Sequence, residues 1–169
     1  MNLIAAADKN MAIGNKGKLL YSIPSDMKFF RTTTTGKVVV MGRKTLESFP
    51  GQNPLKNRVN IVLTRNAEYK KDGAVICTDM EMLKKELEKY DTNDIFVIGG
   101  EEIYRLLLPM CDKAYITRID SESEADAYFP DLDGDDGWHI TSKSETYSEN
   151  GLDFRFVTYE RKRRIENVW

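Results

Sequence analysis

The chain has 169 residues, 25 Lys and Arg against 27 Asp and Glu, and 41% hydrophobic and 31% charged residues. A chain of this length buries about two thirds of the surface its unfolded form exposes, so one core is expected, and charge that alternates in sign argues against disorder. A formal charge of -2 gives no field to hold a polyanion, so no nucleic-acid partner is expected unless a local patch supplies one.

Residues 3–7 form a short apolar run, stopped by Asp8 and Lys9 with no basic segment before it. That is too short for a secretory signal or a membrane span, so no membrane partner is expected and the protein reads as cytoplasmic. Residues 8–24 follow without regular pattern. Helices are then expected over residues 26–33, 44–49, 80–90 and 102–108, and strands over 38–41, 59–63, 74–77 and 95–98. The third helix has Leu83, Leu87 and Tyr90 at helical spacing behind a capping box from Thr78 to Glu81. The strands are short and β-branched, as strands covered on both faces are, and their alternation with helices predicts an α/β fold with a mostly parallel sheet.

The last third changes character. Residues 114–120 read as a strand, residues 121–137 as a second long irregular stretch, and residues 138–147 and 152–161 as two strands flanking Asn150-Gly151, a strong hairpin signal. Leu152, Phe154 and Phe156 alternate. The expectation is a single α/β domain over the whole chain, with a mixed sheet, an antiparallel C-terminal hairpin at its edge and about four flanking helices. Loops as long as 8–24 and 121–137 inside a compact domain are usually functional. Arg161, Lys162, Arg163 and Arg164 form a short basic run, read as the solvated end of the last strand.

Several chemistries find no support. His139, the one histidine, stands beside Trp138 at the start of an expected strand and reads as a packed or surface residue, so Ser-His-Asp catalysis has little support, and Cys77 and Cys111 are too far apart for a CxxC site and read as reduced thiols. Residues 131–136 are acidic but lack the ligand pattern of an EF-hand, and no metal is expected. Gly36 with Gly42-Arg43-Lys44-Thr45 has the outline of a P-loop, yet the glycines are one residue too far apart and Arg43 stands at the lysine position. Gly99-Gly100 follows a strand and opens a helix as phosphate-binding turns do, but without the GxGxxG fingerprint it is equally a tight strand-to-helix turn.

What remains is Pro24-Ser25-Asp26 at the start of a helix, followed by the bulky apolar Met27, Phe29 and Phe30. By itself an Asp in a first turn simply suits the helix dipole. Its company raises the alternative: Ile4-Ala5-Ala6, Ala12-Ile13-Gly14 and Ile23 through Phe30 together resemble the N-terminal signature of bacterial dihydrofolate reductases. The resemblance continues through Val40-Met41-Gly42-Arg43-Lys44-Thr45, Arg58 with residues 60–65, Val97-Ile98-Gly99-Gly100 with Ile103-Tyr104, and residues 115–120. Six motifs in order span nearly the whole chain. The resemblance implies an eight-stranded mixed sheet and NADPH-dependent reduction of dihydrofolate, and a monomer is the default expectation.

It also implies roles. Asp26 would hold the pterin edge, with the Thr117 hydroxyl in the same network, and Ile4, Ala6, Met27, Phe30, Phe49, Leu55 and Ile98 would line an apolar pocket. Arg58 would clamp a glutamate carboxylate of the substrate in a two-pronged fashion. Ala6, Ile13, Gly14 and Ile98 would approach the nicotinamide, while Gly42 to Thr45, with Lys44 among them, and Gly99, Gly100, Glu101, Glu102, Ile103 and Tyr104 would offer two helix starts to the phosphates. Arg43, Thr64 and Arg65, next to Leu63, would surround a 2′-phosphate. Glu101 and Glu102 must then point away, and the Gly99–Gly100 peptide bond would be cis. One departure stands out: many family members carry Leu-Pro-Trp where this chain reads Leu19-Leu20-Tyr21, which leaves the Tyr21 hydroxyl as a candidate replacement at the catalytic site. Two other readings compete, a pterin- or pyrimidine-directed reductase of the same fold, as in riboflavin synthesis, and a catalytically silent NADPH-binding protein.

Overall fold

The computed structural model describes residues 1–163, 165, 166, 168 and 169, so Arg164 of the basic run lies outside the described residues. Its strands are β1 (Asn2–Ala7), β2 (Ala12–Asn15), β3 (Lys18–Leu19), β4 (Val38–Gly42), β5 (Val59–Leu63), β6 (Ala74–Cys77), β7 (Ile95–Gly99), β8 (Lys113–Ile119), β9 (Ala127–Tyr128), β10 (Trp138–Lys143), β11 (Tyr147–Glu149) and β12 (Leu152–Arg161). Its helices are α1 (Pro24–Thr34), α2 (Arg43–Glu47), α3 (Met80–Leu87) and α4 (Glu101–Leu107). The main sheet runs in the order β10-β12-β8-β1-β7-β4-β5-β6, with β11 sharing the β12 edge with β10. From β8 to β6 every pairing is parallel, and β12 turns antiparallel against β8. The mixed sheet with a terminal hairpin is the expected architecture.

Period-two alternation sets the two faces of this sheet. In β4, Val38 and Val40 join Leu3, Val97, Leu83 and Leu107 in the larger apolar cluster, which also takes in residues of α3 and α4. Val39 and Met41 point the other way, to Val62 and Leu46, where Phe49, Leu55 and Ile98 pack on them. Both faces of β4 are therefore buried, which is why the strand reads as an unbroken apolar run. Helix α1 covers the β8–β12 end, its Phe29 ring 4.8 Å from Phe156 and 6.5 Å from Tyr115.

Three expectations change. The cap of α3 is Asp79, whose side chain accepts from the Met82 N–H at 2.7 Å, so the Thr78 to Glu81 box is displaced by one residue and Thr78 instead reaches the Met82 sulfur. Residues 138–147 are two strands rather than one, with a bulge between Ile140 and Ser142 and a break where the Ser144 hydroxyl accepts from Phe156 N–H. The hairpin turn itself is as expected, with φ of 53° at Asn150 and 73° at Gly151, the left-handed pair that a two-residue turn needs. Finally, the two long irregular stretches contain β2, β3 and β9, which form a separate antiparallel sheet in the order β3-β2-β9. These strands are two to four residues long, too short to show a periodic pattern.

Candidate active site

The sheet register builds the floor of the site. Thr117 on β8 lies between Ala6 on β1 and Phe156 on β12, so these three share a face, and Ile4 joins them two residues along β1. Pro24 at the first helical position starts α1 over this face and sets Asp26 in its first turn. The buried Thr117 hydroxyl donates to Asp26 Oδ1 at 2.5 Å. Burial pushes the Asp26 carboxyl above its ordinary range, and the Thr117 hydrogen bond only partly opposes that shift. No cation pairs with Asp26 among the described residues, so the Thr117 hydrogen bond alone offsets the lost hydration of its charge, and only in part.

Further along α1, Phe30 lies beneath the Arg58 guanidinium, whose carbon is 5.8 Å from the ring centroid. Arg58 donates to the Thr35 hydroxyl at 3.4 Å, while its Nε is buried with no hydrogen-bond partner. Burial and the neighbouring positive charge of Arg31 lower its pKa. Among the described residues no carboxylate pairs with Arg58, and a half-buried guanidinium with an orphaned donor is suited to an incoming anion. Phe49, Leu55 and Ile98 form the apolar side of the region, and Met27, 59% exposed, leaves an apolar side chain in the open.

Because β4 and β7 are adjacent and parallel, the helices that follow them start at the same edge of the sheet. Neither α2 nor α4 has a side-chain cap, their caps being Gly42 and Gly100. The approach is close: a Cβ on Gly42 would meet Ile103 at 3.1 Å, and one on Gly100 would lie 3.7 Å from the Thr45 hydroxyl. The Gly99–Gly100 peptide bond is cis, as the resemblance implies. Tyr104, fully enclosed, packs its ring on Gly99 and donates its hydroxyl to Ile4 O at 2.7 Å, and burial pushes that hydroxyl's pKa far up. Two converging helix starts with unpaired N–H groups suit the phosphates of a dinucleotide.

Beside them, Arg43 pairs with Glu47 at 3.3 Å and stacks over Tyr69, and Arg65 reaches Glu102 at 3.5 Å. Lys44 is exposed, Leu63 half-buried, and the Thr64 hydroxyl accepts from Asn66 N–H. Glu101 turns to the Tyr128 N–H and to Arg105. Glu101 is thus directed to partners of its own, whereas Glu102 faces Arg65, one of the residues expected to surround a 2′-phosphate.

A family model described as dihydrofolate reductase matches residues 1–161. The chain belongs to the dihydrofolate reductase family. The dihydrofolate reductase of Bacillus subtilis is 37% identical over 164 residues, covering 96% of this chain and 95% of that protein. That of Haemophilus influenzae is 36% identical, covering 95% and 98%. A solved structure of the Enterococcus faecalis enzyme complexed with NADP(H) and RAB-propyl superposes with a TM-score of 0.85 at 33% identity, covering 96% of each chain. Membership of the dihydrofolate reductase family makes the chain an oxidoreductase. No helix among the described residues is long and apolar enough to cross a membrane.

Sequence reasoning missed a second enclosed carboxylate in this dihydrofolate reductase fold. Asp8 is fully buried, its Oδ1 accepting from the N–H groups of Asn10 and Ala12 and its Oδ2 from the Tyr21 hydroxyl at 3.2 Å. Tyr21 also bonds the Ser123 hydroxyl. Its hydroxyl is therefore committed to Asp8 and the 121–137 stretch, and it makes no hydrogen bond to Asp26. Gly14 O accepts from Asp126 N–H, and a Cβ on Gly14 would come within 3.0 Å of Lys18 O, which explains the glycine beside Ile13. On the far face of β8, Arg118 is engaged by Asp133 and the Tyr159 hydroxyl.

Proposed function

We propose that this chain reduces 7,8-dihydrofolate to 5,6,7,8-tetrahydrofolate with NADPH, and that Asp26 is its acid. The observation that carries this reading is a carboxyl with a raised pKa, held by the Thr117 hydroxyl at the base of an apolar region. When bound, the cofactor supplies the hydride. Reduction of the ring also requires a proton on the neighbouring nitrogen, and a carboxyl whose affinity for a proton is raised by burial is suited to assist that step. With Oδ1 occupied by Thr117, Oδ2 is left to accept from the 2-amino group and ring nitrogen of the pterin.

Arg58, with its orphaned donor, takes the substrate's α-carboxylate, and Phe30, Phe49, Leu55, Ile4, Ala6, Met27 and Ile98 exclude water around the ring. Gly42 to Thr45 and Gly99 to Ile103 hold the phosphates, Ile13 and Gly14 flank the nicotinamide, and Arg43, Thr64 and Arg65 receive the 2′-phosphate, with Leu63, Glu101, Glu102 and Tyr104 shaping the walls. Tyr21 acts through the loop it ties down rather than through the pterin. The enzyme works as a cytoplasmic monomer with no nucleic-acid partner. The test is loss of NADPH absorbance on adding dihydrofolate to the purified protein. A folded chain that binds NADPH yet leaves dihydrofolate unreduced would instead be a silent binder or a reductase of another heterocycle.

A further inference from the structure

Helix α1 begins without a side-chain cap of its own: Ile23 at the cap position offers no oxygen, and Pro24 has no N–H to satisfy. The vacancy is filled from 124 residues away. Glu149, at the tip of the β11–β12 hairpin, accepts from Ser25 N–H through Oε1 at 2.9 Å and from the Ser25 hydroxyl through Oε2. Asn150 adds a donor to Ser22 O at 3.5 Å. The next residue after Ser25 is Asp26. The same hairpin carries Phe156, which packs on Phe29 of α1 and lies beside Thr117 in the sheet.

We propose that Glu149 is a positioning residue for Asp26, its carboxylate occupying the start of α1 and offsetting the helix dipole that would otherwise favour the ionised form of Asp26. This rests on Asp26 being the catalytic acid. Aligned peptide dipoles place about half a positive charge at a helix start, which stabilises a carboxylate in the first turn. Glu149 cancels part of that field and adds a negative charge of its own, so both effects act in one direction. The groups facing Asp26 from other elements are the Thr117 hydroxyl of β8 and the phenol of Tyr104 on α4, both uncharged. Glu149 is the carboxylate that the hairpin brings to this helix start. The two Ser25 hydrogen bonds hold the Glu149 carboxyl below its ordinary range, so it stays charged where the enzyme works.

The test is E149Q, which keeps an oxygen for Ser25 and removes the charge. The titration of the Asp26 carboxyl, followed by carbon-13 NMR in the ligand-free protein, should move down by on the order of half a pH unit. The difference should shrink in 1 M salt, where the screening length falls to about 3 Å. Single-turnover hydride transfer at neutral pH should fall about two- to fourfold, with the limb on which the rate falls as pH rises displaced by the same amount as the NMR titration. S25A, which loses the hydroxyl contact but retains the N–H, should give a smaller shift in the same direction. An Asp26 titration unmoved in E149Q, or a shift undiminished by salt, would overturn the proposal. If D26N transfers hydride at the unmodified rate, the assignment of Asp26 as the acid fails, while the NMR comparison still decides whether Glu149 sets its titration.

Discussion

Asp26 is ionised only against its surroundings, and that has a consequence for stability as well as for rate. Its folded pKa lies above its unfolded value of about 4, so the folded state binds the proton more tightly and loses stability as pH rises through that interval. Asp26→Asn should therefore be more stable than the unmodified protein at neutral pH, and the gap should close in acid, where both carry a neutral side chain. Denaturant midpoints across pH measure this directly. The same substitution should slow hydride transfer by about 10² to 10⁴ at neutral pH, the usual contribution of a positioned acid, and recover as solvent protonates the substrate. A mutant both slower and less stable at pH 7 would contradict the buried-carboxylate account. Arg58→Lys keeps the charge but loses the fork, so KM for dihydrofolate should rise on the order of tenfold with kcat little changed, while a pterin lacking the glutamate should be reduced as before. Asp26 was legible in the sequence only through its neighbours, since an Asp in a first turn is ordinarily a dipole partner. Asp8 was not legible, because its burial depends on a contact with Tyr21 and a loop that closes over it.

At the scale of elements, the parallel strands and the helices between them were readable because long apolar runs and helical spacing are local signals. The small sheet of β2, β3 and β9 was not, since it depends on pairing between stretches more than a hundred residues apart, such as Ala12 with Tyr128. That sheet joins the 8–24 and 121–137 stretches, and Tyr21 is its polar fastening: its hydroxyl bridges Asp8 and Ser123. Where many relatives place Trp, this chain places a phenol, whose oxygen supplies the donor that Asp8 Oδ2 needs. Tyr21→Phe should leave that buried oxygen unsatisfied and destabilise the protein by about 1 to 3 kcal/mol. Amide exchange should accelerate first at Ala12, Asp126 and Phe129, before the main sheet opens. Uniform acceleration across β1 and β7 would mean instead that the two sheets open as one unit.

For the molecule as a whole, the order of elements matters more than any single motif, because β4 beside β7 brings two distant helix starts to one edge, while α1 packed over the β8–β12 end brings Asp26 to Thr117. Binding at that edge ties both halves of the sheet, so cofactor affinity should appear in global stability. Arg43 and Arg65 already hold carboxylates, Glu47 and Glu102, so a 2′-phosphate must exchange with them and its advantage is smaller than two bare guanidinia would give. The Arg65 pair is almost fully exposed and weak, so it yields easily. NADPH should therefore still be preferred over NADH, and each tenfold preference is about 1.4 kcal/mol, or roughly 3 to 6 °C in the melting temperature of a chain this size at equal cofactor concentration well above both Kd values. Replacing Arg43 and Arg65 together by Gln should collapse the difference while leaving the NADH melting temperature close to that of the unmodified protein. Equal melting temperatures with the two cofactors in the unmodified chain would remove Arg43, Thr64 and Arg65 from the recognition of the 2′-phosphate.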